Sequence, residues 1–228
     1  VALGLTNGSV MAVRYKFDLS YPDDVRTLTP RLEYPLGKDP LILDESGESL
    51  THIAIQFSDD IVGLAATTSD NRLVFTRYLR EQSFISEDIT IELESRSVQS
   101  FEHKISSIAL TPGLDHLYAA IAGGKLEDFS LDDEGFDGNR TEFHFEHDIT
   151  RLKVLLGGSS LMVGMENGEV QQWMSVRKDD GRELTFIRNF HENTEAVTSI
   201  ATEQQRKGFA VADTLGDITI YYSTSQRT

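Results

Sequence analysis

One repeated spacing constrains the fold of this chain more than any other feature. The stretch from His103 to Leu131, HKISSIALTPGLDHLYAAIAGGKLEDFSL, aligns without a gap with two later stretches that begin at His147 and Glu195. In every copy 21 residues separate the first residue from a glycine, which is Gly124, Gly168 or Gly216. A constant distance of this kind indicates an internal structural repeat.

Regular alternation of apolar residues inside each copy predicts β-strands. Ile105, Ile108 and Leu110 open the first copy, and the alternation resumes just before the turn glycine. A period of two indicates strands, because successive side chains of a strand point to opposite faces. Five residues after the glycine an aromatic residue recurs, so a third strand follows a tight turn. We expect outer strands from the segments that link the copies, which are 99–102, 141–146 and 184–190.

Two weaker copies extend the repeat toward the start of the chain. One reaches its turn at Asn71, and VALGLTNGSVMAV contains the second half of another around Gly8. The turns at 8, 71, 124, 168 and 216 are 44 to 63 residues apart. Four-stranded propeller blades repeat at a similar interval of roughly 40 to 50 residues.

The repeat therefore predicts an all-β fold, a β-propeller of four-stranded blades. We expect one domain over residues 1–228 with about five units, at 1–46 (partial), 47–102, 103–146, 147–190 and 191–228. Strand alternation is already present at Val1. We accordingly expect a partial propeller or a fragment of a larger one whose earlier blades precede this residue, and the alternative is a five-bladed ring.

Charge and composition exclude several classes of function. The chain has 21 basic and 37 acidic residues, a formal charge of −16, so it repels nucleic acid and anionic lipid surfaces. It has no cysteine, which removes disulfides, thiolate nucleophiles and cysteine metal sites. No run approaches 18 consecutive apolar residues, and we expect this segment to be soluble.

The repeat frame resembles that of WD-repeat propellers. The frame His-x-Ile-Ser-x-Ile, a loop, and Leu-x-x-x-x-x-x-Gly-x-Leu-x-x-Phe matches their first three strands. The resemblance implies that His103 and His147 are hydrogen-bonding residues at the start of a blade. The aspartate that follows the tryptophan in that family is replaced here, so we expect an incomplete buried polar network. The replacements are Ser130, Met174 and Tyr222.

Metal sites find little support in the sequence. His144 and His147 are three residues apart, which places them on opposite faces of a strand, so we do not expect them to share an ion. Asp133 and Asp137 lie in LDDEGFDGN, a partial match to a calcium loop. Gly135 occupies the middle ligand position, and we expect residues 131–139 to form a solvated loop instead.

Catalytic motifs are equally weak. No Gly-x-Ser-x-Gly motif is present, and Gly157–Ser160 lacks the lysine and the helix of a phosphate loop. Trp173 is interpreted as a packing aromatic, and the sequons at Asn7 and Asn139 as turns. We predict no catalytic, cofactor-binding or metal residues, no cofactor, and no enzyme activity. A propeller hydrolase with a carboxylate at the channel mouth is the enzymatic alternative.

A narrower resemblance is carried by the last segment, IATEQQRKGFAVADTLGDITIYYSTSQRT. Residues 203–209 and 223–228 are similar to the end of the propeller-like domain inserted in the large permease subunit of proteobacterial phosphate ABC transporters. This resemblance implies a domain held between two membrane-spanning helices on the periplasmic side of the inner membrane. The parent protein would then be membrane-anchored.

The function expected from these patterns is a non-catalytic protein-interaction or regulatory module in phosphate uptake. Its expected partners are other transporter subunits or the phosphate-binding protein. The alternative is a generic WD-repeat scaffold in a soluble complex. Candidate contact surfaces are three loops on one rim, Thr111–His116, Gly157–Ser160 and Glu203–Lys207. Because a partial propeller exposes strand edges, we also expect an edge-to-edge homodimer.

Overall fold

The first sheet of the molecule carries an inserted hairpin. The computed structural model describes residues 1–83, 89–155, 157–178, 181–190, 195–203 and 208–223. Strands β1 (Ala2–Gly4) and β2 (Ser9–Ala12) pair first. Strands β3 (Arg14–Ser20) and β4 (Thr27–Glu33) then form a separate two-stranded sheet around a short 3-10 turn at Pro22–Asp24. Strand β5 (Leu41–Ile42) returns to pair with β2, so the hairpin interrupts the first sheet.

Three four-stranded antiparallel sheets follow in chain order. The second sheet contains β6 (Leu50–Ser58), β7 (Ile61–Thr68), β8 (Arg72–Gln82) and β9 (Ile89–Ser100). The third contains β10 (Ile105–Leu110), β11 (His116–Ile121), β12 (Lys125–Asp132) and β13 (Gly135–His144). The fourth contains β14 (Ile149–Val154), β15 (Ser160–Met165), β16 (Val170–Lys178) and β17 (Gly181–Phe190). A three-stranded fifth sheet contains β18 (Val197–Thr202), β19 (Gly208–Asp213) and β20 (Ile218–Tyr222).

Apolar side chains between successive sheets form the core. Phe75 of the second sheet packs with Leu117 and Phe129 of the third. Leu126 of the third packs with Leu161 of the fourth, and corresponding clusters join the first sheet to the second and the fourth to the fifth. The sheets therefore stack face to face in chain order and form an open arc, which confirms the predicted partial β-propeller.

The turns fall where the repeat predicts them. All five turn positions have positive φ, at Gly8, Asn71, Gly124, Gly168 and Gly216. A Cβ atom on Gly124 would lie 2.4 Å from the Phe145 carbonyl oxygen, so this turn has no room for a side chain. Phe145 in turn donates its N–H to the Gly124 carbonyl at 2.7 Å. The glycine thus lets the following segment close over the turn.

Hydroxyl groups tie the innermost strands of neighbouring sheets together. Ser106 and Thr150 occupy β-bulges of β10 and β14, where the strand register shifts. Ser106 Oγ donates to the Ile149 carbonyl at 2.5 Å, and Thr150 Oγ1 donates to the Val197 carbonyl at 2.6 Å. Each bond joins one sheet to the next, and a hydrogen bond of this kind contributes about 1 kcal/mol.

The acidic segment 131–139 is not the solvated loop that we predicted. Strand β12 ends at Asp132 and β13 begins at Gly135, so only two residues form the connection. The Phe136 ring lies 5.2 Å from the Phe129 ring and 6.3 Å from Phe75. Packing of this one aromatic residue favours a tight hairpin over an open loop.

Apolar side chains remain exposed on the outward face of the last sheet. Ile218 and Ile220 are 71% and 67% exposed, and Tyr222 of the same strand is also exposed. In the inner sheets the corresponding face is covered by the next sheet of the arc. The face of β20 is therefore an apolar surface that no other sheet of the described residues covers.

Candidate functional site

Two of the three predicted rim loops lie side by side. A Cβ atom on Gly158 would lie 3.0 Å from Pro112 Cδ, so the loops of the third and fourth sheets are in contact. Leu114 fills the space beside Gly63 of the second sheet, where a Cβ would approach its Cδ2 atom to 2.4 Å. The third predicted loop includes residues 204–207, which lie outside the described residues. Two packed loops, one of which also rests on β7 of the second sheet, form a preorganised contact surface.

Internal hydrogen bonds brace the loop at Thr111–His116. Thr111 Oγ1 donates to Asp115 Oδ1 at 2.6 Å and accepts the His116 N–H at 3.0 Å. His116 Nδ1 lies 2.8 Å from Asp128 Oδ1 of the neighbouring strand. The Tyr118 ring stacks on the imidazole at 6.1 Å. Burial, assisted by the charges of Asp128 and Asp115, raises the pKa of the Tyr118 hydroxyl, which keeps it neutral.

The His116–Asp128 pair is a feature that sequence reasoning missed. Its two members are 12 residues apart and meet across a strand pair, so no local motif indicates them. An imidazole beside a carboxylate is also found in hydrolytic sites, where the carboxylate orients the base. Here Asp128 is only 11% exposed and the pair lies between strands, as expected for a structural brace.

A positively charged funnel runs along the innermost strands. Its volume is 410 Å³, and its lining includes His52, Arg151 and Lys153 together with Ser107 and Ser199. Burial lowers the pKa of His52, and the nearby charges of Arg151 and Lys104 lower it further. No carboxylate lines the funnel among the residues that the structure describes. The carboxylate that the hydrolase alternative requires is thus not found in this part of the molecule.

The histidines singled out in the sequence have different surroundings in the structure. His144 Nε2 lies 3.1 Å from Glu142 Oε1, and His147 Nδ1 lies 3.9 Å from Glu166 Oε1. Within the described ranges no three His, Asp or Glu side chains gather as a metal ion requires. His103 is exposed, and the described residues include no hydrogen-bond partner for its side chain. Its predicted role at the start of a blade therefore finds no contact to support it.

Asp148 supplies a turn contact instead. Its Oδ1 accepts the N–H groups of Gly123 and Gly124, each at 2.7 Å. The carboxylate belongs to the fourth sheet and the turn belongs to the third. One side chain therefore links two successive sheets, although neighbouring repeats have Lys104 and Ala196 at the corresponding position.

The inserted hairpin is the largest surface feature that the sequence interpretation missed. Directly paired residues place six apolar side chains on one face, namely Tyr15 with Leu32, Phe17 with Pro30, and Leu19 with Leu28. All six are exposed, and the five other than Pro30 have 50% to 58% of their surface open to solvent. The alternation in RYKFDLS and TLTPRLE indicated these strands, but it lies outside the repeat frame.

The base of the hairpin borders a cleft on the rest of the domain. Arg14, Lys16, Arg31 and Glu33 line a cleft of 620 Å³ between the hairpin and the second sheet. Lys16 and Arg31 both contact Glu33, at 3.0 and 2.8 Å. The hydrogen bond from Lys16 and the neighbouring cationic charges lower the pKa of the Glu33 carboxyl. Both faces of the hairpin are nevertheless open to solvent, since Lys16 and Arg31 are 46% and 50% exposed and every residue of β3 is exposed.

Comparison with known proteins identifies the fold and nothing narrower. No protein-family model matches the chain, and no curated protein matches it. Among solved structures, the chain is similar to the β-propeller domain of Cps50 (Swd1) from Myceliophteria thermophila, with 14% identity and a TM-score of 0.55. The match covers 95% of this chain and 66% of that one. The chain has the β-propeller fold and spans about two thirds of that propeller domain.

In the described ranges, no helix combines the length and the apolar character needed to cross a bilayer.

Proposed function

We propose that this propeller arc is a non-catalytic protein-interaction module. The observation that carries the proposal is the rim on which the loops of the third and fourth sheets pack against each other and Leu114 packs on Gly63 of β7. Propeller folds commonly present such loops to other proteins, and function depends on the surface rather than on the fold. The internal bonds of Thr111, Asp115 and His116 hold this rim in one conformation, which lowers the entropic cost of binding.

At a finer level, we propose that the domain belongs to the permease of a phosphate ABC transporter. Support comes from the resemblance of residues 203–209 and 223–228, of which 204–207 and 224–228 lie outside the described residues. The domain would lie on the periplasmic side of the bacterial inner membrane. Its partners would be the other transporter subunits or the phosphate-binding protein, and its role would be docking or regulation of uptake.

Co-purification of the full-length protein from its native membrane tests this proposal. We expect phosphate-transport proteins to co-purify with the native chain and to be lost when Ser159→Arg places bulk and charge on the rim. Thr214→Arg is the matched control, because it introduces the same side chain in a turn at the opposite end of the strands. Equal recovery with both variants would contradict the rim assignment, and recovery of unrelated partners would contradict the transport assignment.

A phosphate titration tests whether the module itself holds the anion. Because the chain has a charge of −16, we expect no saturable binding of inorganic phosphate at micromolar concentration. The test is demanding because the funnel is lined by cationic side chains, which attract an anion. Micromolar affinity that disappears in Arg151→Gln would show that the domain is a phosphate sensor and not a docking element.

The second candidate is a WD-type scaffold in a soluble complex. The fold likeness to another β-propeller supports this candidate as much as the first. The full-length sequence separates the two, since hydrophobic spans on both sides of the domain would exclude the soluble scaffold.

A further inference from the structure

We propose that the exposed apolar face of the β3–β4 hairpin binds the same face of a second copy of this chain. The face is defined by Tyr15, Phe17, Leu19, Leu28, Pro30 and Leu32. It does not depend on the phosphate-transport assignment. The edge-to-edge homodimer expected from the sequence is a different contact, at the ends of the arc.

The fold leaves the apolar face of the hairpin without a packing partner among the described residues. Folding alone would turn the apolar face of an amphipathic hairpin toward the domain. Here Tyr15 and Phe17 are 58% and 57% exposed, and of the six residues of the face Leu32 alone lines the cleft against the second sheet. The Tyr15 and Phe17 rings pack edge to face on each other, with centroids 4.9 Å apart, and belong to none of the four core clusters of the described residues.

The area of the face suits a dimer. Burial of a whole aromatic side chain removes roughly 150–250 Å² of surface from water. Because the side chains of this face are about half exposed, the face and the tip together present on the order of 600 Å² of apolar surface for contact. Two copies would then bury about 1,200 Å², which reaches the range of stable interfaces. Tyr21 and Val25 extend the face at the tip and are 61% and 63% exposed. A two-stranded sheet is also marginally stable without a further packing layer.

Charge favours this surface for contact between copies. Residues 14–33 contain four basic and four acidic side chains, so the hairpin is neutral, whereas the chain has a charge of −16. Two copies therefore repel each other least when they meet through the hairpins. Asp23 and Asp24 at the tip disfavour insertion into an anionic membrane. The exposed face of β20 is the alternative apolar surface, and the Ile218→Ser, Ile220→Ser variant distinguishes it from the hairpin.

Analytical ultracentrifugation of the full chain provides the first test. We expect a dimer at tens of micromolar that becomes tighter as salt screens the negative charge. The double variant Phe17→Ser, Leu28→Ser should raise the dimer dissociation constant at least tenfold. The control Leu93→Ser, Val98→Ser removes apolar residues that are 45% and 47% exposed on β9, and it should remain dimeric. Unchanged circular dichroism spectra would show that each variant is folded.

Cysteine crosslinking provides the second test, since the native chain contains no cysteine. Tyr15→Cys, Phe17→Cys and Leu28→Cys place thiols on the apolar face, and we expect at least one to form a disulfide-linked dimer on mild oxidation. Thr29→Cys lies on the opposite face of the same hairpin and should not.

Several results would overturn the proposal. These are a monomeric native chain at high micromolar concentration, equal crosslinking from Thr29→Cys, and a dimer that survives the hairpin variant but is lost in Ile218→Ser, Ile220→Ser. A monomer whose hairpin binds vesicles containing anionic lipid, or a different protein, would overturn it as well.

Discussion

The third sheet and the inserted hairpin both alternate apolar and polar residues, but the sheet buries its apolar face and the hairpin exposes its own. In the sheet, Leu117 pairs with Phe129, and the two residues are 0% and 3% exposed. In the hairpin, Phe17 pairs with Pro30, and Phe17 is 57% exposed. Both pairs lie on one face of an antiparallel ladder with apolar alternation. Alternation therefore specifies a strand, but the neighbouring element decides whether its apolar face is buried.

This difference separates residues that hold the fold from residues that are available for contact. The apolar side chains of the sheets fill the space between blades, and their removal leaves cavities. The apolar side chains of the hairpin contribute little to the fold, because they are exposed to water. Substitutions in the two regions should thus have different effects on the free energy of unfolding.

The largest expected effect is that of Leu117→Ala. Leu117 is fully buried between the second and third sheets, so its truncation should lower the free energy of unfolding by about 2–5 kcal/mol. Leu28→Ala in the hairpin should change it by less than about 0.5 kcal/mol. Denaturant unfolding of both variants below the concentration of association gives the comparison. Equal losses would mean that the hairpin is part of the core.

A smaller effect is expected at the turn of the third sheet. Gly124→Ala places a Cβ atom against the Phe145 carbonyl oxygen and should cost about 1–3 kcal/mol. Gly123→Ala is the matched control, because Gly123 also has positive φ but its Cβ would meet open space. Thermal unfolding of the two variants isolates the cost of the close contact. If both alanines cost the same, backbone strain alone explains the glycines.

Thr150→Val tests the bonds between sheets. The variant loses the donor to the Val197 carbonyl, and the free energy of unfolding should fall by about 1 kcal/mol. Hydrogen exchange in β18–β20 should increase, since this bond holds the fifth sheet to the fourth. Thr29→Val in the hairpin has no corresponding bond and should leave exchange in β18–β20 unchanged.

The smallest effect concerns pH. The pKa of His52 is lowered in the folded state, so the unfolded chain takes up a proton first as pH falls. Stability from this group is present above the unfolded pKa of about 6.5 and is lost as pH falls from there toward the folded pKa. Arg151→Gln should raise the pKa of His52, as measured by NMR titration. An unchanged pKa would show that the charge of Arg151 does not contribute to the shift.

The repeated parts of the fold could be predicted from the sequence because they depend on local residues. Gly8, Asn71 and Gly124 mark turns through their own backbone preference, and period-two alternation marks the strands beside them. The outer strands were placed less well, since β9 spans Ile89–Ser100 and the predicted segment was 99–102. The connections before the outer strands differ in length, so the constant spacing of the repeat does not predict where the outer strands begin.

The features missed at the candidate surfaces depend on contacts between distant residues. Asp128 meets His116, and Asp148 meets the Gly123–Gly124 turn, only after strands and sheets have assembled. The hairpin is a different case, because the alternation of Tyr15, Phe17 and Leu19 was visible in the sequence. What the sequence does not state is the direction in which that apolar face points.

Hydrogen–deuterium exchange across the whole chain tests the central contrast most directly. The residues of β7, β11 and β15 are mostly buried against neighbouring sheets, and we expect their amides to exchange only on global unfolding. Amides of β3 and β4 should exchange much faster in dilute solution and should slow as the protein concentration rises. Hairpin amides as protected as those of β11 at low concentration, or rapid exchange in β11 and β15, would contradict the account.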